Sequence, residues 1–134
     1  MSRMIFVNMP VKDLTASRAF FTALGFAFNE EFSDDRAACV VLADNIFVML
    51  LREDVFATLV NGEVADATRA TEVLSCITAE SREEVDALVR RAVGAGGKPW
   101  KDSFADGPMY GGSFQDLDGH VWEVMHTDAA ASAR

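Results

Sequence analysis

The same order of elements runs twice along this chain. Arg3 to Met9 alternates along a β-rich stretch and reads as a strand that Pro10 ends. Asp13 can cap a helix running to Leu24, with Leu14, Phe20, Phe21 and Leu24 on one face and Gly25 as its stop. Phe26–Phe32, Ala38–Leu42 and Ile46–Leu51 read as three further strands, the last two joined by a turn at Asp44-Asn45. A short helix over Arg52–Val60 and a polar connector over Asn61–Ala70 follow. Then the order restarts. Glu72–Thr78 reads as a strand, and Ser81 with Glu84 three residues on forms a capping box for a second helix. That helix has Val85, Leu88, Val89 and Ala92 on its apolar face and ends at Gly94, Gly96 and Gly97. Lys98–Lys101, Tyr110–Gln115 and His120–His126 are the remaining strands, with a loop over Asp102–Met109. Spacing repeats as well as order: Asp44 lies five residues before Met49, and Asp118 lies five before Glu123. Met49 and Glu123 are therefore equivalent positions.

Two β-α-β-β-β halves define an α+β chain. At 134 residues it fits a single domain over 1–126, with module one at about 3–60, module two at about 70–126, and an Ala/Ser-rich flexible tail over 127–134. The net charge of −9, with no block of Lys or Arg, argues against a nucleic-acid partner and against an anionic membrane surface. The first residues do not read as a signal peptide and no segment reaches membrane-spanning length, so the expected location is cytoplasmic. Cys39 and Cys76 lie inside apolar runs without CxxC spacing and read as core thiols. Trp122 reads as core, and Trp100 as partly exposed.

Two segments carry a resemblance. VKDLTASRAFFTALGF (Val11–Phe26) and SFQDLDGHVWEV (Ser113–Val124), at this separation and on a repeat, resemble the vicinal oxygen chelate superfamily. That superfamily contains glyoxalase I, bleomycin-resistance proteins and extradiol dioxygenases; Leu117 stands where its second motif usually has proline. The resemblance covers about Met4 to His126. It implies paired βαβββ modules forming curved mixed sheets around a cleft, and a homodimer. It also implies a metal site with one ligand from the first and last strand of each half, at Phe6, Met49, Glu72 and Glu123 in this sequence. Two of those four are apolar. Zinc sites take about four ligands and a non-haem iron site wants two histidines with a carboxylate, so two glutamates meet neither demand. His120 and His126 each lie three residues from Glu123, which on a regular strand points them to the opposite face. The expectation is no cofactor; a divalent metal stays open, with an incomplete ligand set.

Counting by twos along the strands also suggests what looks into the cleft. Met4 and Asn8 flank Phe6, Phe47 and Leu51 flank Met49, Leu74 and Cys76 follow Glu72, and Val121 and Met125 flank Glu123. Tyr110 could add a hydroxyl at the mouth, and 52–60 and 102–109 are candidate lids. Such a lining suits a small organic ligand held by Phe6, Asn8, Phe47, Met49, Leu74, Tyr110 and Met125. Glu72 and Glu123 are either a general acid–base pair, carboxylates left in an inherited cleft, or a counter-charge for an amine. The favoured function is a glyoxalase/bleomycin-resistance-like binder with a degenerate metal site. The alternatives are a glyoxalase-type metal-dependent lyase or isomerase, less readily a dioxygenase-like enzyme, with unconventional ligands, and an interaction module with a vestigial cleft.

Overall fold

Each half builds its own sheet, and the two sheets share one topology. The structure, a computed structural model, describes residues 3–128. It falls into two units divided between Asp66 and Ala67. The first contains β1 (Ile5–Val11), α1 (Leu14–Ala23), β2 (Ala27–Asn29), β3 (Ala37–Ala43), β4 (Ile46–Arg52) and α2 (Glu53–Ala57). The second contains β5 (Leu74–Thr78), α3 (Arg82–Gly94), β6 (Lys98–Pro99), β7 (Phe104–Asp106), β8 (Met109–Gln115) and β9 (Val121–Thr127). The strand orders are β1-β4-β3-β2 and β5-β9-β8-β6, with β7 also paired to β8. In both sheets the first strand runs parallel to the last, which its predecessor joins antiparallel. A parallel pair needs a crossover, and in each unit that crossover carries the long helix.

The helices begin where the capping signals place them. Asp13 accepts from the Ala16 N–H at 3.0 Å and Ser81 accepts from the Glu84 N–H at 3.0 Å, each satisfying a donor the helix leaves orphaned. The Glu84 carboxylate reaches back to the Glu80 N–H at 2.6 Å. One face of each sheet is then covered by its helix. In the first unit Phe20, Phe21 and Leu24 are buried, as are Met9, Val11, Val48, Leu50, Ala38 and Val40. In the second, Val85, Leu88 and Ala92 are buried, as are Phe114, Trp122 and Val124. Each large side chain so buried contributes roughly 1.5–3 kcal/mol. Among the described residues no helix is long and apolar enough to cross a membrane.

Several boundaries differ from the sequence expectation, for identifiable reasons. Pro10 does not end β1; it pairs with Leu51 inside the strand. β1 is an edge strand, so the missing N–H costs no ladder bond on its outer side. The strand expected over Phe26–Phe32 stops at Asn29, whose side chain accepts from the Glu31 N–H and turns Glu30–Phe32 into a 3₁₀ helix. The helix after β4 ends at Ala57 rather than Val60. β5 begins at Leu74, leaving Glu72 outside it, and β6 covers only Lys98–Pro99. Part of the expected loop over Asp102–Met109 forms β7. His120 stands before β9, whereas Thr127, expected in the tail, belongs to it; residues 129–134 of that tail lie outside the described residues. Cys39 is a core thiol, but Cys76 is exposed.

Candidate functional site

The face of each sheet away from its long helix carries most of the candidate site residues. In the first unit the β1–β4 ladder sets Phe6 beside Phe47, Asn8 beside Met49, and Pro10 beside Leu51, while β3 adds Cys39 next to Met49. Lateral neighbours in a ladder point to one side, so these residues share a face. The Phe6 and Phe47 rings stack with centroids 4.8 Å apart and planes 12° apart, and Phe32 approaches Phe6 edge-on at 6.2 Å. Phe47 is buried, but Phe6 and Phe32 remain 39% and 50% exposed, which leaves an aromatic surface rather than a sealed core. The Asn8 amide donates to the Phe6 carbonyl at 3.3 Å, so its local use coexists with its position on this face. Met4 is 49% exposed, just ahead of β1.

In the second unit the corresponding neighbours are Leu74 with Val121, Cys76 with Glu123, and Thr78 with Met125 from the β5–β9 ladder. β8 contributes Ser113 beside Glu123 and Gly111 beside Met125. The next residue round is turned the other way: a Cβ on Gly112 would meet Val89 and Val85 of α3 at 3.0 and 3.4 Å. The odd-numbered residues of β8 and β9 therefore face away from α3. Glu123 lies among Val121, Met125, Cys76 and Ser113, and it is half-buried. Partial burial and the Glu123 charge push the Cys76 thiol above its ordinary pKa. Burial likewise pushes Cys39 up, with a backbone hydrogen bond at Asn29 opposing it.

Two residues expected at the site stand elsewhere in the second unit. Glu72 precedes β5 and is exposed, so the ladder sets Cys76, not Glu72, beside Glu123. Tyr110 shares its face with Gly112, towards α3; its hydroxyl donates to Asp86 Oδ1 at 2.6 Å and Arg82 lies over its ring at 5.2 Å. That hydrogen bond, with burial and the Asp86 charge, raises the phenol's pKa. His126, the cross-strand neighbour of Tyr110, points the same way and its Nδ1 lies 3.0 Å from the Ala79 carbonyl. His120 stands in the turn before β9. Of the candidate lids, 52–60 carries α2, and 102–109 carries β7, which pairs alongside β8; just ahead of it Ser113 Oγ accepts from the Lys101 N–H at 2.9 Å.

Phe104 and Asp116 escape a reading of the sequence. Phe104 rides on β7 opposite Gly111, and its ring occupies the space of the missing side chain, 2.5 Å from where a Cβ would stand. An aromatic ring thus joins the face that carries Glu123. The Gly111-Gly112 pair is the only signal of it in the sequence. Asp116 is buried in the β8–β9 turn, where its carboxylate accepts from the Asp118 and His120 N–H groups at 3.0 Å each and from Trp122 Nε1 at 3.1 Å. Burial raises its pKa, while the charge of His120 and the Trp122 hydrogen bond pull the other way. It shapes the turn that delivers Glu123.

A divalent metal of the kind the resemblance implies wants oxygen and imidazole donors. The adjacent positions hold Asn8 with Met49 in one unit and Cys76 with Glu123 in the other. Thioether and a thiol held protonated are soft or weak partners for a hard ion. Among the described residues no three His, Cys, Asp or Glu side chains gather where they could hold a metal ion. This donor set does not fit that metal.

Comparison with known proteins agrees with the fold. A family model described as bleomycin resistance protein-like N-terminal matches residues 3–42. No curated protein is significantly similar in sequence. Among solved structures, a hypothetical protein from S. aureus is 28% identical, with a TM-score of 0.80 over 94% of this chain and 95% of that one. A glyoxalase/bleomycin resistance protein/dioxygenase family enzyme from Burkholderia phytofirmans PsJN superposes with a TM-score of 0.77 at 17% identity, covering 95% of this chain and 100% of its own. The fosfomycin resistance protein FosX from Listeria monocytogenes does so with a TM-score of 0.69 at 18% identity, covering 97% of both chains.

Proposed function

We propose that this chain, which has the fold of the vicinal oxygen chelate superfamily, is a glyoxalase/bleomycin-resistance-like protein that binds a small organic molecule. One observation carries the reading: the stacked Phe6–Phe47 pair with Phe32 at its edge, on the face of the first sheet away from α1, where Phe6 and Phe32 stay exposed. An exposed ring fixed on a strand, stacked on a buried one and flanked by a second exposed ring, offers a rigid apolar surface with little side-chain entropy left to lose. The matched family model and the Listeria protein are both named for resistance to a small molecule, which supports the same direction. An acid–base alternative through Glu72 and Glu123 draws no support from the β5–β9 ladder, which sets Cys76 beside Glu123.

The test is thermal unfolding against a panel of small planar compounds. A ligand at a hundred times its Kd stabilises the folded state by about 2.7 kcal/mol. At least one compound should raise the midpoint saturably in the wild type and much less in Phe6→Ala. A panel without effect, or equal shifts in the two proteins, ends the reading. Binding without a resident divalent metal belongs to the same proposal, and stoichiometric metal in dialysed protein by elemental analysis would reverse that part. So do a homodimer, checked by sedimentation equilibrium, and a cytoplasmic location, checked by cell fractionation.

A further inference from the structure

Resting on that reading, we propose that the helix-free face of the second unit takes the protonated amine of an arylalkylamine-type ligand. Glu123 is its counter-ion, and Phe104 packs on its apolar part.

The argument starts from charge. Glu123 sits mid-strand, half-buried, with Val121 and Met125 along β9 and with Cys76 and Ser113 on either side. Arg18–Glu30, Arg52–Asp54 and His126–Asp128 form ion pairs, and among the described residues no ion pair to Glu123 is found. The Ser113 hydroxyl is engaged by the Lys101 backbone. A half-buried carboxylate with no cation paired to it among the described residues is a ready counter-ion for an incoming ammonium group. An anionic ligand would meet both this group and a chain of net charge −9.

The apolar half of the ligand follows from the strap. The segment from Lys101 to Asp106 runs along the β8 edge of the sheet and lays the Phe104 ring over Gly111, next to Met125 in the ladder. The β9 and β5 side stays open: Met125 is half-buried and Cys76 exposed. Phe104 is 44% exposed, so its ring is available to a neighbour. A cation on Glu123 therefore has an aromatic ring and a thioether within a strand's breadth. That arrangement suits an ammonium group separated from an aryl ring by a short chain.

Three probes of matched size decide it: 2-phenylethylamine, 2-phenylethanol and 3-phenylpropanoate, titrated into the full chain at low salt and followed by calorimetry and NMR shifts. The amine should bind about tenfold more tightly than the alcohol, the scale of one charge-assisted hydrogen bond, and the carboxylate more weakly than either. Glu123→Gln, nearly isosteric, should bring the amine to within about twofold of the alcohol; Phe104→Ala should weaken amine and alcohol together. Circular dichroism confirms that each variant is folded. Equal binding of all three probes, or an amine preference that survives Glu123→Gln, overturns the inference and leaves the binding function standing. No binding of any probe also overturns it, and the planar-compound panel with Phe6→Ala then decides the binding function separately.

Discussion

Gly119 is where a single added methyl group should cost the second unit most. Its φ of +88° is a left-handed conformation, and a Cβ built there would stand 2.9 Å from the Thr68 nitrogen and 3.0 Å from the Ala67 carbonyl carbon and oxygen. Backbone atoms cannot swing aside as a flexible side chain can. Gly119→Ala therefore adds a left-handed penalty of about 1–2 kcal/mol to an overpacking penalty of about 1–3 kcal/mol. Gly107→Ala is the internal control. It lies in the same unit at φ +59°, with nothing within 4 Å of its Cβ, so it carries the conformational penalty alone. Both substitutions narrow the unfolded ensemble equally, by about 0.4–1 kcal/mol in favour of the fold, and that effect cancels in the comparison. The difference between the two variants should thus be about 1–3 kcal/mol, with Gly119→Ala the weaker protein. Urea titration followed by tryptophan fluorescence is suited to the measurement. Trp100 and Trp122 both lie in the second unit, and Trp122 is fully buried. Equal stabilities for the two variants would refute the claim that the Ala67–Thr68 backbone packs against the β8–β9 turn.

Other perturbations test the electrostatics. Ellman's reagent should modify Cys76 in the native protein and reach Cys39 only on unfolding, since Cys39 is 0% exposed. Partial burial and the Glu123 charge raise the Cys76 pKa, so Glu123→Gln should speed its modification at neutral pH; an unchanged rate–pH profile would contradict the pairing. Tyr110 is the sole tyrosine, so absorbance at alkaline pH reports it alone. Asp86→Asn should lower its titration midpoint towards the ordinary phenol value, because the carboxylate both accepts from the neutral phenol and repels the phenolate. For Asp116 the native pKa is raised by burial, so its stabilising contribution is fully present below the unfolded carboxylate range and is lost as pH rises through the native value. The wild-type advantage over Asp116→Asn, measured by urea unfolding from acid to neutral pH, should shrink along that path; growth instead would mean that the three N–H donors outweigh burial.

Short-range signals in this sequence determined the order of the elements apart from β7 and the 3₁₀ turn, the start of both long helices and the alternation of faces along each strand. Asp13 and Ser81 cap because their oxygens meet N–H groups three residues away, and alternation by twos follows from the pleat itself. Those rules also turned His126 away from Glu123 and brought Phe6 and Phe47 to one side. Tertiary structure alone decided what depends on ladders between distant segments. The neighbour of Glu123 is Cys76, not Glu72, because the parallel β5–β9 register sets Leu74 beside Val121. Pro10 continues a strand because β1 is an edge, and Phe104 reaches the site face because β7 pairs opposite a glycine. Register is a non-local quantity in which a slip of one residue exchanges the faces of a strand, so no window of neighbouring residues can supply it.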